Sequence, residues 1–402
     1  MATEIKNGVY SVGTLNPAMR TFDIVMETDY GTSYNSYLVK GTEKNALIDV
    51  CHLSFFNHYV ANIQSVLPLE QIDYIILNHN EPDHSGALAK LLEKTGSIPI
   101  YTSQAGALYV KNITNLKNLD IHVVKEGDTL ELGGKTLRFI PAPFLHWPDS
   151  MFTYLPQEQL VFTCDFLGSH YCEPYLFDHV MAYPQKYETA LKGYYDAIFG
   201  PFPKYVENGL HKLKALDFSM VLPSHGPILT REKNGWLDTA ISSYEQWCMP
   251  KQKDKKLIPV FYTSAYGNTR RLAEAVAQGV RDTVDADVEI YDMIEHDMSM
   301  LHELINHCDG FAIGTPTINR DTVPPTWHLL AGVDAINCMK KPCVVFGSFG
   351  WSGEGVPNVI TRLSGLKMNL VADGLKVAFV PTEDDLAKAK ELGCLLGKAV
   401  IG

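Results

Sequence analysis

Residues 76–88 read ILNHNEPDHSGAL, and their reading decides what the first half of the chain is. An apolar run, IDYIIL (72–77), is followed at once by His79, Glu81, Asp83 and His84, and a helical pattern begins near Ser85. The run has the length and the branched residues of a buried strand. The four polar side chains therefore fall on a loop at the carboxyl end of a strand, where groups converge on a ligand outside a sheet. Alternation along extended chain predicts that His79, Glu81 and Asp83 face one side. His84 joins them as the chain turns.

Three further residues occupy similar positions after apolar runs: His146 in LHWPDS, Asp165 in FTCDF and His225 in VLPSHG. Together they make four imidazoles and three carboxylates, enough for two metals that share one bridging carboxylate. Crowded buried carboxylates are costly without compensating cations, so a metal explains their density. Imidazole suits zinc or iron, and each added carboxylate favours higher metal charge. Three of them tilt the site toward two irons that cycle between ferrous and ferric. The other histidines, among them His58, His122 and His211, read as surface or core residues.

Working outward, residues 1–250 carry strands that come early and close together, SYNSYLVKG, NALIDV, YIILN, TLRFIPA and QLVFTCDF, with helices between some of them. This predicts a layered α/β or α+β domain with two mixed sheets. MPKQKDKK, 249–256, has the composition of an exposed connector. From 254 to 402 the rhythm changes to alternating strands (LIPVFY, VEIYDM, GFAIG, PCVVF, KVAFV) and helices (RRLAEAVAQGVRDT and TEDDLAKAKELGCLLGKAV). Such alternation predicts a doubly wound parallel sheet of flavodoxin-like type.

The first strand-to-helix turn of that second domain is TSAYGNT: Thr263, Ser264, Ala265, Tyr266, Gly267, Asn268, Thr269. Hydroxyls, a glycine and free backbone amides at a helix start make an anion cradle that needs no lysine. Flavodoxins hold the phosphate of flavin mononucleotide (FMN) at this turn. No G-x-G-x-x-G follows a strand, which argues against direct nicotinamide binding.

The formal charge of −12 argues against non-specific nucleic acid binding. No window reaches the roughly 18 apolar residues a membrane span needs, and the start MATEIKNGVYSVGTL lacks the pattern of a secretory signal. Eight scattered cysteines with no C-x-x-C pair read as reduced thiols in a cytoplasm, and exclude a rubredoxin-type knuckle.

The spacing His-x-Glu-x-Asp-His, with LHWPDS, a strand-end aspartate and SHG, resembles the flavodiiron proteins, also called A-type flavoproteins. Glu81 stands where hydrolases of the same fold usually carry histidine. The resemblance implies a metallo-β-lactamase-like αβ/βα sandwich at 1–250 ahead of the flavodoxin-like domain at 254–402. It makes His79, Glu81 and His146 ligands of one iron, Asp83, His84 and His225 ligands of the other, and Asp165 the bridge. Asp149 would orient an imidazole; Asp49 would do the same or simply serve the turn. TPTINRDTVP, with Pro316, Thr317, Ile318 and Asn319, and GSFGWSG, with Ser348, Phe349, Gly350, Trp351 and Gly353, resemble the family's isoalloxazine-lining segments. Trp351 would stack near the ring, and Trp327 reads equally as core. The stretch GSHYCEPYLFDHV, 168–180, reads as helix-rich, with His170 and Tyr171 bordering the gas pocket or packing ordinarily.

What the resemblance implies for function is reduction of dioxygen to water, of nitric oxide to nitrous oxide, or both. Electrons would pass from a separate donor, such as rubredoxin or reduced deazaflavin, through FMN to the irons, in a head-to-tail homodimer. Two alternatives stand beside it: a binuclear zinc hydrolase with an accessory flavodoxin-like domain, and an electron carrier whose first domain is only structural.

Overall fold

A computed structural model describes residues 2–24, 26–249 and 254–402, so residues 250–253 of the expected connector lie outside it. The chain divides into two compact units, Met1–Pro250 and Lys251–Gly402.

The central strands of the first unit bury both faces, and their period-two pattern says against what. In Tyr37–Lys40, Asn45–Ile48 and Tyr74–Leu77, the residues Tyr37, Val39, Ala46, Ile48 and Ile76 enter one core, while Leu38, Leu47, Ile75 and Leu77 enter another. In Thr136–Pro141, Met151–Leu155 and Leu160–Cys164, the residues Leu137, Phe139, Met151, Leu155, Leu160 and Phe162 join the first of these cores. Their neighbours Ile140, Phe152, Tyr154 and Val161 join a third. The shared core lies between two sheets; the outer two lie between a sheet and helices. Each fully buried Leu, Ile or Phe side chain contributes roughly 1.5–3 kcal/mol, so sliding any strand by one residue would put its whole apolar set on the wrong face.

One sheet has seven strands, in the order Thr3–Lys6, Val9–Ser11, Tyr37–Lys40, Asn45–Ile48, Tyr74–Leu77, Ile100–Thr102, Ile121–Val123. It is antiparallel as far as Asn45–Ile48 and parallel beyond. The other has six, Thr129–Glu131, Thr136–Pro141, Met151–Leu155, Leu160–Cys164, Met220–Pro223 and Leu229–Thr230, with one parallel pair, Leu160–Cys164 beside Met220–Pro223. Helices Phe56–Gln64, Leu88–Thr95 and Gly106–Thr114 cover the first sheet, and Pro184–Tyr194, Pro203–Lys214 and Leu237–Cys248 the second. Backbone bonds join the sheets at one rim: Met151 N to Asn78 O at 2.9 Å, and Asn35 N to Ser224 O at 2.8 Å.

Residues 168–180 are not helix-rich. Gly168 and Pro174 interrupt the stretch, Tyr171 forms a bridge with Tyr30, and a single 3-10 turn at Asp178–Val180 is the helical part.

In the second unit the parallel sheet runs Ile290–Asp292, Val260–Tyr262, Phe311–Gly314, Pro342–Phe349, with Asn369–Leu370 and Leu375–Ala378 both on the far side of the last. This is the 2-1-3-4-5 order of a flavodoxin-like sheet. Helix Asn268–Arg281 crosses the final helix, Glu383–Ile401, at two glycines. A Cβ on Gly279 would lie 1.9 Å from Lys390 O, and one on Gly393 2.0 Å from Val276 O. We expect Gly393→Ala to destabilise this unit of the intact chain by about 1–3 kcal/mol, seen as a lower thermal midpoint. Gly365→Ala, where a Cβ meets nothing within 4 Å, leaves the midpoint unchanged or slightly raised.

Candidate functional site

The rim where the two sheets join collects the polar residues that close their strands. Asp49 follows Ile48, His79 follows Leu77 by two residues, Asp165 follows Cys164, and His225 follows Pro223 by two. His146 lies in the loop between Pro141 and Met151, after a cis Leu145–His146 peptide. Asp49 and Cys164 leave their strands with positive φ, 53° and 51°, and Phe144 has φ 65°. Left-handed non-glycine residues concentrate at functional sites because surrounding structure must hold them there. They turn the chain abruptly off the sheet at three of the points that deliver site residues.

The seven expected ligand side chains come together as two groups sharing Asp165. His79 Nε2 and His146 Nε2 lie 3.2 and 3.0 Å from Glu81 Oε2, and each lies 3.5 Å from Asp165 Oδ2. On the other side, His84 Nε2 lies 3.3 Å from Asp83 Oδ1 and 3.0 Å from Asp165 Oδ1. His225 Nε2 lies 3.0 Å from Asp83 Oδ2 and 3.6 Å from Asp165 Oδ1. One oxygen of Asp165 faces each group. Ligand atoms of His79, Glu81, His146 and Asp165 lie within 4.8 Å of one another, as do those of Asp83, His84 and His225.

Alternation alone predicts His79, Glu81 and Asp83 on one side. Pro82 instead opens a short helix, Pro82–Ser85, which breaks the period of two and carries Asp83 across with His84. Asp149 stands behind His79, its Oδ1 3.1 Å from Nδ1, and its Oδ2 accepts the Asn80 amide at 2.7 Å. Asp49 directs its carboxylate to Asn78, accepting N–H at 2.8 Å and Nδ2–H at 3.3 Å. It reaches no imidazole nitrogen through the ion pairs and hydrogen bonds of the described residues, and so holds the turn that carries His79.

Three neighbours carried little signal in the sequence. Tyr194 donates to Asp165 Oδ1 at 3.0 Å. Thr32 Oγ1 lies 2.9 Å from His170 Nδ1 and 3.2 Å from His225 Nδ1, which also meets Ser33 O at 2.6 Å. Asp23 lies beside Glu81, and burial together with that neighbouring carboxylate raises its carboxyl to about 6. His170 is buried against the His225 ring, 4.9 Å between centroids. Burial holds it neutral, far below the usual histidine range. Tyr171 turns away instead, its hydroxyl donating to Tyr183 O and Glu173.

The electrostatics fit a cation pair. Among the described residues, the ion-pair partners of Glu81, Asp83 and Asp165 are imidazoles. Both oxygens of Asp83 and Oδ2 of Asp165 are buried without a hydrogen bond, a costly state for carboxylates unless a metal takes their lone pairs. Without metal, burial opposes charge on His84, but Asp83 and Asp165 outweigh it and lift the imidazole to about 9. His79 is raised in the same way, burial being overcome by Asp149 and Glu81.

In the second unit a cavity of about 170 Å³ is lined by Ala265, Tyr266 and Asn268, by Pro316, Thr317 and Ile318, and by Ser348, Phe349 and Gly350. Those are parts of all three expected loops. Phe379 completes the wall; the strand expected through KVAFV ends at Ala378, and Phe379 turns out with φ 55°. Helix Asn268–Arg281 starts beside the cavity behind Gly267, φ 82°, and the buried Thr263 Oγ1 and Ser264 Oγ have no hydrogen-bond partner. Orphan hydroxyls at a helix N-terminus suit a phosphate. Thr269 Oγ1 is instead tied to Ser348 Oγ at 2.9 Å, joining two of the loops. Asn319, Trp351 and Gly353 do not line the cavity; Trp351 is fully exposed. Trp327 packs against the core and donates to Asp321.

Two family descriptions match the chain, ODP family beta lactamase over residues 32–226 and flavodoxin over residues 260–393. A lactamase-like unit with a histidine–carboxylate cluster followed by a flavodoxin-like unit defines the class. The flavo-diiron protein FprA2 of Clostridium acetobutylicum is 52% identical over 99% of this chain and 100% of its own length. Type A flavoprotein fprA of Rhodobacter capsulatus is 36% identical over 98% and 91%. Among solved structures, the rubredoxin oxygen:oxidoreductase of Desulfovibrio gigas matches with TM-score 0.70 and 28% identity over 100% of this chain and 99% of that one. The flavodiiron protein of Giardia intestinalis matches with TM-score 0.68 and 28% identity over 100% and 97%. The chain belongs to the flavodiiron protein family.

An imidazole raised above its unfolded value of 6.5 adds stability that is complete below that value and is lost as pH rises through about 9. The metal-free protein should therefore lose thermal stability between about pH 6.5 and 9. Calorimetry in chelator checks this, and a midpoint that climbs over that window contradicts it. Metal uptake at neutral pH should release protons.

Proposed function

We infer that the chain is a flavodiiron oxidoreductase that reduces dioxygen to water, nitric oxide to nitrous oxide, or both, at two non-haem irons fed through FMN. The observation that carries this reading is the Asp165 carboxylate, with one oxygen toward each histidine–carboxylate group and no lysine or arginine paired to it among the described residues. The relatives support it by name: alongside the flavo-diiron protein and the rubredoxin oxygen:oxidoreductase stands an anaerobic nitric oxide reductase flavorubredoxin of Pectobacterium carotovorum, 34% identical. Membership of this family favours the redox reading over a zinc hydrolase.

His79, Glu81 and His146 would hold one iron, Asp83, His84 and His225 the other, and Asp165 both. When bound, the irons supply gas binding and charge stabilisation, and the flavin supplies electrons singly or in pairs. The chain's part is to prepare the donors and keep bulk water out. Asp149 accepts the Nδ1 proton of His79, so that Nε2 faces inward with its lone pair free. Ser33 O does the same for His225. Burial of six of the seven side chains, with His146 partly open, keeps the donors in a low-dielectric setting where their charge acts strongly. In the flavin unit, the Thr263 and Ser264 hydroxyls and the amides opening helix Asn268–Arg281 would hold the phosphate, and the loops around Pro316, Ser348 and Phe379 would hold the ring.

The donor would be a separate electron carrier such as rubredoxin or reduced deazaflavin, and the working form a head-to-tail homodimer. Supporting a covered surface here, Trp351 is 100% and Tyr266 91% exposed around the flavin cavity, an arrangement that marks interaction sites. Free cysteines at all eight positions support a reducing cytoplasm. No described helix is long and apolar enough to cross a membrane.

Purified protein should carry two irons and one FMN per chain. Glu81→Ala should lower iron content and abolish consumption of dioxygen and nitric oxide, while FMN content and reduction of the flavin stay at the wild-type level. Undiminished gas reduction in that variant would sink the di-iron reading, and zinc together with thioester or lactam hydrolysis would establish the alternative.

A further inference from the structure

The two groups around Asp165 present matched donors: two imidazoles, one carboxylate and one Asp165 oxygen each. Their inner charge is equal, so any difference between the two metal positions must come from what stands behind the donors.

Behind His79 stands an anion. Asp149 Oδ1 lies 3.1 Å from His79 Nδ1, and its other oxygen is held by Asn80 N–H at 2.7 Å and Asn80 Nδ2–H at 3.0 Å. A carboxylate there makes the imidazole a stronger donor and favours the more highly charged metal. Behind His225 stand neutral groups only: the Ser33 carbonyl at 2.6 Å and the Thr32 hydroxyl at 3.2 Å, itself tied to His170 at 2.9 Å.

The bridge is polarised in the same sense. Tyr194 donates to Asp165 Oδ1, the oxygen facing His84 and His225. Oδ2, facing His79 and His146, accepts no hydrogen bond. The tyrosine hydroxyl draws electron density from the oxygen on the Asp83 side and makes it the weaker donor. Among the described residues Asp49 bonds neither His84 nor His79 directly; its two oxygens accept from Asn78.

We propose that the two iron positions are inequivalent in a fixed direction: the one framed by Asp83, His84 and His225 is reduced first and oxidised last, and Asp149 and Tyr194 are the positioning residues that set the interval between the two steps. Each step is one electron taken by one ferric ion from an external reductant. The inference rests on the di-iron reading above.

The test is a spectroelectrochemical titration of the intact, iron-57-loaded protein, with Mössbauer spectra at half reduction, for the wild type, Asp149→Asn and Tyr194→Phe. Asp149→Asn removes the anion behind the position reduced second, so the second step should rise while the first stays. Tyr194→Phe restores donation from Asp165 Oδ1, so the first step should fall while the second stays. Both variants therefore narrow the interval, and the half-reduced population falls several-fold. Were the order reversed, the same substitutions would widen it. Widening in either variant, an unchanged interval in both, or a wild type with no half-reduced state overturns the proposal. Wild-type protein that binds fewer than two irons would overturn the functional reading instead, a separate result. Iron content of each variant is measured first, and either one that keeps two irons suffices.

Discussion

Three carboxylates sit buried at one rim of the first unit, and their partners there are imidazoles. Carboxylates so placed are held apart from water at a cost of several kcal/mol each unless cations meet them. The Asp165 side chain joins both halves of this arrangement, one oxygen to each. The fold exists around that constraint in a literal sense. Its two sheets meet where Met151 bonds to Asn78 and Asn35 to Ser224, and those residues adjoin the strands and turns that deliver the cluster.

The sandwich solves a geometric problem. Strands buried on both faces are rigid, and their ends are therefore fixed points from which short loops can aim side chains. Residues far apart in sequence, from Asp49 to His225, end on one rim because their strands run the same way. The abrupt exits at Asp49, Cys164 and Phe144 are what convert a strand end into a turn toward the centre. The flavin unit uses the other common device, loops following parallel strands, with the helix start behind Gly267 as its anion-binding end.

Much of this was legible in the chain. Near-continuous apolar runs mark Tyr37–Lys40 and Tyr74–Leu77 as strands buried on both sides, and the density of His and carboxylate groups after strands has few structural explanations. Alternation failed at Pro82, because a proline that opens a helical turn resets the side-chain direction, and the family resemblance rather than periodicity separated Asp83 from Glu81. Tyr194, Thr32 and Asp23 gave no signal: a tyrosine on an amphipathic helix, a threonine in a strand and an aspartate in a hairpin are ordinary, and only three-dimensional proximity gives them a role. Phe379 was missed because an apolar residue continuing a strand pattern looks like strand until the backbone turns left-handed. Residues 168–180, expected to be helix-rich, carry a single 3-10 turn because Gly168 and Pro174 interrupt the stretch.

The direct measurement is anomalous diffraction from crystals of the as-purified protein, collected on both sides of the iron and zinc absorption edges. The account predicts two peaks strong above the iron edge and weak below it, one on each side of the Asp165 carboxylate, the first against Glu81 and the second against Asp83. A zinc signal at those positions, a single peak, or peaks away from Asp165 would contradict it.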